Sequence, residues 1–325
     1  METGRRVAII GAGMAGLVCA RSLQQAGASV AIFDKARGPG GRLTTRRRGE
    51  ARFDHGAQFF TARSEAFASQ VMAWEEAGVA AVWPGRFALC EGGRLFEDAV
   101  EKVRWVGVPR MSALGRHLAE GLDLHLSARV VSLLGAPGGW TVELESGARC
   151  GPFDTVVLSC PGPQAAALIP EECPLRACAD ALLYEPCWAV MLGYEAAPAL
   201  EWDGISFKSG RLAWAARDSG KPSRGPGERW VLHASAAWSA EHLGSDPASV
   251  VEALAGEFEA LAGVRHDFSA AHRWLYALSA SALSGGARHD AGWGLGLCGD
   301  GLTRPRVEGA WESGVAMARL VEGVK

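Results

Sequence analysis

Residues 7–16 read VAIIGAGMAG, a short apolar run followed by three glycines in the spacing GxGxxG. A helical pattern of apolar residues follows and ends at Gly27, and a second apolar run, SVAIF at 29–33, ends in Asp34. Strand, glycine turn, helix and strand thus follow in the order of a Rossmann-like dinucleotide-binding unit. The sequence therefore predicts an α/β fold whose N-terminal part binds a dinucleotide.

Each glycine of this turn has a mechanical role. Gly11 permits the tight turn, Gly13 lets backbone amides approach a pyrophosphate, and Gly16 lets the helix pack closely on the strand. The helix N-terminus then directs its partial positive charge at the diphosphate. Asp34, 18 residues beyond Gly16, is placed to accept hydrogen bonds from an adenosine ribose. The predicted cofactor-binding residues of this unit are Gly11, Gly13, Met14, Ala15, Gly16, Asp34 and Lys35.

The composition excludes several classes of protein. The chain has 325 residues, of which 48% are hydrophobic and 21% charged, as expected for a soluble globular protein of about two domains. A net charge of −3 gives no reason to expect a nucleic acid or an anionic membrane as partner, and no apolar run reaches the roughly 18 residues of a membrane span. Eight cysteines and eight histidines lack metal-ligand spacing, so we expect no metal, reduced thiols and a cytoplasmic location.

A second glycine motif follows the first unit. Residues 40–45 read GGRLTT, where the glycine pair allows a second backbone approach to a diphosphate and Arg42 can neutralise its charge. This motif resembles the RxGGRxxS/T doublet of the FAD-containing amine-oxidase and related flavoprotein superfamily. Gly38 departs from it, because it stands at the first arginine position and Arg37 lies one residue earlier. The next three residues, 46–48, are all arginine and are expected to form a solvated basic turn.

Flavoproteins of this superfamily close the FAD site with a C-terminal strand and helix, and residues 294–300 (GLGLCGD) and 306–314 (RVEGAWESG) have that pattern. The resemblance implies that Asp300 takes ribityl hydroxyls, that the helix start directs amides at the flavin N1 and C2 carbonyl region, and that Val130 lies along the adenine. The further predicted cofactor-binding residues are Gly40, Gly41, Arg42, Gly56, Ala57, Gln58, Phe59, Val130, Gly299, Asp300, Val307, Glu308, Gly309 and Ala310.

Residues 54–63 read DHGAQFFTAR and resemble the DxGAQYFTAR segment of renalases, particularly the bacterial ones. Further landmarks of that family occur in order along almost the whole chain. They are VRWVG at 103–107, WAARDSGKP at 214–222, WVLHA at 230–234, HRWLYA at 272–277 and RVEGAW at 306–311.

The resemblance implies two domains. The first is a discontinuous α/β, Rossmann-like FAD-binding domain with the topology of p-hydroxybenzoate hydroxylase, formed by residues 1–61, 111–169 and 276–325. The second is an α+β substrate domain with a mixed β-sheet and helices, formed by residues 62–110 and 170–275.

The activity that the resemblance implies is that of a non-covalent FAD oxidase. Such an enzyme takes a hydride from the 2- and 6-dihydro isomers of NAD(P)H onto flavin N5, releases NAD(P)⁺, and returns the electrons to O₂ to give hydrogen peroxide. The cofactor carries this chemistry, so no catalytic side chain is expected, and the protein needs to stack the nicotinamide correctly. The candidate substrate-binding residues are Phe60, Trp214, Arg217, Asp218, His233, Trp238 and Trp274.

Two of these candidates have alternative interpretations. His233 lies in an apolar run, where a hydrogen-bonded core histidine fits as well as a substrate-facing one. Asp218 places a carboxylate where members of the family have asparagine, which would alter hydrogen bonding to a carboxamide.

Three other functions remain open from the sequence. A true amine oxidase resembles this chain at the nucleotide site, but it usually has an aromatic cage and often a lysine near the flavin. Only three tyrosines occur here, and Lys221, in a Gly-Lys-Pro turn, is expected at the surface. A flavin-binding redox module without turnover is the second alternative. An NAD-dependent dehydrogenase without flavin is the third, and the doublet and the C-terminal pattern disfavour it.

Overall fold

A computed structural model describes residues 4–280 and 283–323. The ends of the predicted FAD-binding ranges, 1–3 and 324–325, and residues 281–282 lie outside the described residues. The strands and helices are, in chain order, β1 (Arg6–Ile10), α1 (Met14–Gln25), β2 (Ser29–Phe33), β3 (Arg46–Arg48), β4 (Ala51–Phe53), α2 (Glu65–Glu76), β5 (Ala80–Val82), β6 (Phe87–Glu91), β7 (Arg94–Glu97), β8 (Trp105–Gly107), α3 (Ser112–Ala119), β9 (Asp123–His125), β10 (Val130–Leu134), β11 (Trp140–Leu144), β12 (Arg149–Phe153), β13 (Thr155–Leu158), α4 (Gly162–Ala166), α5 (Leu175–Asp180), β14 (Tyr184–Tyr194), β15 (Gly204–Phe207), β16 (Leu212–Arg217), β17 (Glu228–Ala234), α6 (Ala236–Glu241), α7 (Pro247–Ala262), β18 (Phe268–Ser279), β19 (Ala287–Asp290), β20 (Leu295–Cys298) and α8 (Val307–Glu322).

A six-stranded sheet carries the first glycine turn. Its order is β19-β20-β13-β1-β2-β9, with every neighbouring pair parallel except β19 and β20. Val7 and Ile9 of β1 face the core that α1 and α8 cover, whereas Ala8 and Ile10 face the core beneath the β10-β11-β12 sheet. A strand buried on both faces needs the continuous apolar run that the sequence has there. This arrangement confirms the predicted α/β fold with its Rossmann-like unit.

The second large sheet has seven strands in the order β18-β14-β17-β16-β15-β6-β7. All neighbours are antiparallel except β15 and β6. Trp230 and Leu232 of β17 point to the face where they share a core with residues of α7, while Val231 packs with Phe53 of β4 on the opposite face. Because side chains alternate along a strand, each strand of this sheet contributes to both faces.

The sheets follow the predicted division of the chain with one exception. The six-stranded sheet is built from strands within 1–61, 111–169 and 276–325, and the seven-stranded sheet from strands within 62–110 and 170–275. Strand β18 runs from Phe268 to Ser279 and so crosses the boundary predicted between 275 and 276. The domain boundaries themselves stay a prediction.

None of the helices described has both the length and the apolar character that crossing a membrane requires.

Candidate functional site

The two glycine turns lie against each other at the carboxyl end of β1. The Gly40 amide donates to the Ala12 carbonyl over 2.8 Å, and Gly13 and Gly40 pair as an isolated parallel bridge. Gly40 has a φ of +115°, a conformation that favours glycine. A Cβ atom on Gly41 would lie 3.2 Å from the Gly13 Cα. The two motifs that the sequence predicts on opposite sides of a diphosphate are therefore brought together.

The N-terminus of helix α1 directly follows the first of these turns and has no side-chain cap. Helix α1 follows Gly13 and has no acidic residue in its first turn, whereas α8 follows Arg306, also without a side-chain cap, but has Glu308 in its first turn. The two helices pack closely, since a Cβ on Gly314 would lie 2.4 Å from the Ala15 carbonyl oxygen. A Cβ on Gly13, in contrast, would meet no heavy atom within 4 Å. Free amides and open space at a helix N-terminus suit an anionic group.

Asp34 braces the first glycine turn. Its Oδ2 accepts a hydrogen bond of 2.6 Å from the Ala12 amide, and its Oδ1 accepts one of 2.7 Å from the Ala36 amide. Each carboxylate oxygen can accept a second bond. Asp34 is thus a structural part of the turn, which the sequence reasoning missed, and it retains acceptor capacity for a ribose hydroxyl.

Arg42 and Asp300 form a bidentate pair. Arg42 Nη2 lies 2.6 Å from Asp300 Oδ1, and Arg42 Nη1 lies 3.0 Å from Asp300 Oδ2 and 3.1 Å from the Ala277 carbonyl oxygen. Burial acts to lower the pKa of Arg42, but the charge of Asp300, its hydrogen bond to Arg42 and the nearby Tyr184 together outweigh burial, so that this pKa is raised. The pair joins the doublet to the C-terminal Gly-Asp turn, although the sequence had predicted separate partners for the two side chains.

Tyr184 belongs to the same neighbourhood and was missed. Its hydroxyl oxygen accepts a hydrogen bond of 3.3 Å from the Gly162 amide. Burial raises its pKa, and Asp300 and Arg42 are close enough to act on it as well. Tyr184 starts a strand without any motif around it, so only the folded chain reveals this position.

An aromatic cluster lies beyond the doublet and consists of Phe59, Trp83, Phe87 and Trp214. The ring of half-buried Phe59 is 5.4 Å from that of Trp214 and 6.3 Å from that of Trp83. Phe87 lies 5.0 Å from Trp83 and 6.4 Å from Trp214. The structure thus brings together Phe59 and Trp214, which the sequence reasoning proposed, with two residues that it missed.

Two histidines, His233 and His272, and Trp274 surround His55, the residue before Gly56. The His55 carbonyl oxygen accepts hydrogen bonds of 3.1 Å from His233 Nε2 and from Trp274 Nε1. The His272 ring centre lies 4.8 Å from that of His55 and 4.5 Å from that of Trp274. Because a carbonyl cannot donate, His233 Nε2 carries the proton. His233 Nε2 is therefore hydrogen-bonded within the protein, as the alternative interpretation of this residue expects. The same nitrogen lies 3.5 Å from Gln58 Nε2.

Burial keeps these histidines uncharged. It is the main cause that lowers the pKa of His233 to about 4, that of His55 to about 3 and that of His272 to about 4. Positive neighbours act in the same direction, Lys221 on His233 and Arg46 on the other two. At neutral pH this part of the site therefore contains neutral rings.

The lowered histidine pKa values predict a loss of stability in acid. The ordinary pKa of about 6.5 applies to the unfolded chain, so the unfolded chain takes up protons between about pH 6.5 and 4 while the folded chain does not. The free energy of unfolding should be highest above about pH 6.5 and fall as the pH approaches 4. In His233→Gln this fall should be smaller than in the parent, as measured by urea unfolding across that range. The matched control, His125→Gln, changes a half-exposed histidine and should leave the fall unchanged, whereas an equal slope for His233→Gln would contradict the prediction.

The prediction that Lys221 lies at the surface is wrong. Its ammonium is fully buried, 2.8 Å from Asp218 Oδ1, 3.1 Å from Gln58 Oε1 and 3.8 Å from Asp54 Oδ2. Arg224 completes this ionic cluster (Asp54, Asp218, Lys221 and Arg224) with a contact of 2.6 Å to Asp54 Oδ2. The two positive and two negative charges balance, which permits their burial. A turn motif cannot reveal that distant carboxylates converge on it.

Asp218 is likewise not exposed to a substrate pocket. It is 1% exposed and belongs to the ionic cluster, where burial raises its pKa against the opposing effect of Lys221. The assignment of Asp218 to the substrate wall is corrected for this reason. Gln58, which receives the bond from Lys221, donates through Nε2 to the Asp54 and Gly56 carbonyls.

Three other substrate-wall predictions are also wrong. Phe60 is 4% exposed and packs in the core at 6.1 Å from Phe67, because alternation directs it away from Phe59. Arg217 lies on the opposite face of the sheet from Trp214 and pairs with Glu228 at 2.9 Å. The third residue, Trp238, packs at that opposite face as well, stacked on His242 at 4.1 Å.

Several predicted cofactor residues have other contacts. Glu308 Oε1 accepts bonds from the Arg63 and Ser64 amides, so its side chain faces the start of α2 rather than the glycine turns. Lys35 Nζ donates to Gln164 Oε1 over 3.0 Å. Val130 is half-buried at the start of β10. Backbone packing places Gly56 and Ala57 against the Arg42 carbonyl oxygen, to which the Ala57 amide donates over 2.9 Å.

The solvated basic turn expected at residues 46–48 is only partly correct. Arg46 and Arg48 are half-buried in β3, and Arg47 alone is exposed.

Comparison with known families matches two parts of the chain. Residues 9–73 match the NAD(P)-binding Rossmann-like domain, and residues 92–321 match the flavin containing amine oxidoreductases.

Solved structures share the fold over nearly the whole chain. A putative protoporphyrinogen oxidase from Exiguobacterium sp. 255-15 is 13% identical with a TM-score of 0.77, and the match covers 98% of each chain. Wild-type putrescine oxidase bound to putrescine is 15% identical with a TM-score of 0.75, over 98% of this chain and 99% of the other. An oxidoreductase from Methanosarcina mazei is 13% identical with a TM-score of 0.73, over 96% and 99%.

The second match covers more than two thirds of the chain and includes every strand of the seven-stranded sheet except β6, together with the C-terminal Gly-Asp turn. The glycine turns, the uncapped N-terminus of α1 and the open space at Gly13 fit the diphosphate of FAD. The chain therefore belongs to the family of flavin containing amine oxidoreductases and is an oxidoreductase that depends on non-covalently bound FAD.

Proposed function

We propose that this protein oxidises the 2- and 6-dihydro isomers of NAD(P)H to NAD(P)⁺ in the cytoplasm and reduces O₂ to hydrogen peroxide. A hydride leaves the dihydronicotinamide ring, which becomes aromatic, and this hydride, one proton and one O₂ molecule together give one hydrogen peroxide. The proposal rests on the sequence resemblance to renalases and on the chemistry of the side chains beside the glycine turns.

Bound FAD supplies the two-electron acceptor for this reaction. The chain's own residues hold the cofactor in the proposed site. Gly13 and the first turn of α1 receive the diphosphate, Asp34 accepts from the adenosine ribose, and Val130 lies along the adenine. In this site Arg42 offsets the charge of the diphosphate, and Asp300 accepts hydrogen bonds from the ribityl hydroxyls. The start of α8 directs its amides at the flavin ring.

The observation that carries the proposal is a group of flat, uncharged side chains beside the doublet. The Phe59 and Trp214 rings lie 5.4 Å apart and are suited to stack against a nicotinamide ring. His233 is uncharged at neutral pH, because burial lowers its pKa to about 4. Hydride departure from an electron-rich dihydropyridine requires no acid or base, so orientation by stacking is sufficient.

The test is to mix the purified flavoprotein, without oxygen, with the 2- and 6-dihydro isomers of NADH. We expect rapid bleaching of the flavin absorbance and release of NAD⁺, followed by one hydrogen peroxide per NAD⁺ when air is admitted. Ordinary NADH is the matched control and should bleach the flavin slowly, because its transferable hydride is at C4. Flavin that stays oxidised with both isomers would overturn the proposal.

Oxidation of a small primary amine is the second candidate. It is favoured by the family match and by the burial of Lys221 beside Gln58, since a lysine near the flavin is frequent in amine oxidases. A panel of primary amines that includes putrescine, used in the same anaerobic assay, separates the candidates. Bleaching by an amine alone would establish this second function instead.

Arg42→Ala should reduce flavin retention in either case. The substitution removes a positive charge from the proposed diphosphate site and leaves the buried Asp300 carboxylate without its partner. Loss of this positive charge, together with the unpaired Asp300 carboxylate, should weaken FAD binding by roughly tenfold or more. The measurement is the flavin-to-protein absorbance ratio after gel filtration. Arg42→Lys keeps the charge but not the planar guanidinium group, so its flavin content should lie between those of the parent and Arg42→Ala. Full flavin content in Arg42→Ala would show that Arg42 pairs with Asp300 but does not contribute to FAD binding.

A further inference from the structure

Two arginines of β3 point to the same side of the strand. Arg46 Nη1 lies 3.0 Å from His272 Nδ1, and Arg48 has a buried Nε atom without a hydrogen-bond partner. Arg47, between them, points the other way, is largely exposed and pairs with Glu50 at 3.5 Å. The alternation of a strand therefore separates two half-buried guanidinium groups from a solvated one.

The positive charge at this position is not compensated. Within residues 4–280 and 283–323, no carboxylate oxygen lies within 4.0 Å of a side-chain nitrogen of Arg37, Arg46 or Arg48. Burial lowers the pKa of Arg46, and the charges of Arg48 and Arg37 lower it further. Like charges held together in a half-buried site are unfavourable unless an anion joins them. Arg46 and Arg48, with the unpartnered Arg48 Nε, therefore have the charge and donor groups that bind an anion.

The arginines lie next to the cluster formed by His272, Trp274 and His55. The His272 ring that Arg46 contacts is 4.5 Å from the Trp274 ring, and Trp274 Nε1 donates to the His55 carbonyl directly before Gly56. The chain itself also connects them, since Arg46 follows Arg42 by four residues. A dinucleotide with its ring against Phe59 would have to extend past Gly56 and Trp274 to reach Arg46.

We propose that Arg46 and Arg48 bind the diphosphate of a dinucleotide substrate while its nicotinamide lies against Phe59 and Trp214. This inference rests on the proposed function and names the residues that bind the phosphate part of the substrate. A diphosphate carries about two negative charges at neutral pH, and the planar guanidinium matches phosphate oxygens two at a time. The same arginines would repel the ammonium group of an amine substrate.

Binding of non-reducing anions tests the site directly. Inorganic pyrophosphate and ADP-ribose are titrated by calorimetry into the flavin-loaded parent and into Arg46→Gln, Arg48→Gln and Arg47→Gln. Each of the first two substitutions should weaken both probes by roughly tenfold, the effect of a lost charge-assisted contact, and the Arg47→Gln control should bind as the parent does. Equal affinity in all four proteins would overturn the proposal. So would loss of flavin from Arg46→Gln or Arg48→Gln, because the arginines would then serve the cofactor.

Reduction kinetics add a second readout. With a 2- or 6-dihydro NADH isomer, Arg48→Gln should raise KM by roughly tenfold with little change in kcat. With the corresponding 1-methyl-dihydronicotinamide, which has no phosphate, parent and variant should have the same KM. A KM increase of equal size for both substrates would contradict the inference. The two proposals fail separately: if no isomer reduces the flavin, the proposed function falls, while arginine-dependent pyrophosphate binding would still establish the anion site.

Discussion

Lys221→Ala is expected to lower the free energy of unfolding by about 3–5 kcal/mol, the range found when one partner of a buried ion pair is removed. The Lys221 ammonium is fully buried against Asp218, Asp54 and Gln58. Without it, two carboxylates would share one remaining cation, Arg224. The unpaired carboxylate would either stay charged in a poorly solvated position or take up a proton, and both outcomes cost stability.

Lys208→Ala is the matched control. Lys208 also forms one lysine–carboxylate contact, with Glu91 at 3.0 Å, but both side chains are half-exposed. Exposed pairs contribute about 0–1 kcal/mol, so this variant should unfold like the parent. Urea unfolding of the flavin-loaded proteins, followed by circular dichroism, measures both.

A double variant separates loss of charge balance from loss of packing. Lys221→Ala combined with Asp218→Ala removes one charge of each sign, so it should be more stable than the sum of the two single losses predicts. Strict additivity, or a cost for Lys221→Ala as small as that for Lys208→Ala, would show that the ionic cluster does not govern stability here.

The parts of the fold that were predictable from sequence are those in which the signal is local. The first unit is specified within residues 7–34, where glycines, apolar runs and an acid follow each other at short range, and β2 has the bounds Ser29–Phe33 that the run SVAIF indicates. The C-terminal helix was expected to begin in the segment 306–314 and extends over Val307–Glu322. Such motifs encode a turn and the elements beside it without reference to the rest of the chain.

The errors concern side chains whose surroundings come from distant segments. Lys221 contacts Gln58, 163 residues earlier in the chain, and no local pattern in the Gly-Lys-Pro turn indicates that contact. The choice between Phe59 and Phe60 depends on which face of an extended segment meets the core. Arg217 and Trp214 are close in sequence yet lie on opposite faces of one sheet. Sequence reasoning identified residue types suited to a pocket, but the register of the sheet decides which of them face it.

Gly13→Ala should abolish most flavin binding while leaving the fold intact. An added Cβ at Gly13 meets no protein atom within 4 Å, and its φ of −77° is accessible to alanine, so the free energy of unfolding of the apoprotein should change by less than about 1 kcal/mol. In the proposed site that Cβ would occupy the space through which the cofactor diphosphate approaches the amides of α1. Overlap with a diphosphate should weaken FAD binding by roughly a hundredfold, the loss of about two charge-assisted hydrogen bonds.

Gly16→Ala, three residues further on, should have the opposite signature. Its Cβ would lie 2.1 Å from the Gly11 carbonyl oxygen and 3.1 Å from Ser159 Cβ, so the helix and the strand must separate. Overpacking at backbone contacts should cost about 3 kcal/mol or more of the free energy of unfolding. Titration of each apoprotein with FAD, followed by flavin fluorescence, together with urea unfolding separates the two effects. If Gly13→Ala bound FAD as tightly as the parent, the diphosphate would not lie over Gly13, and the assignment of this open space to the cofactor would be wrong.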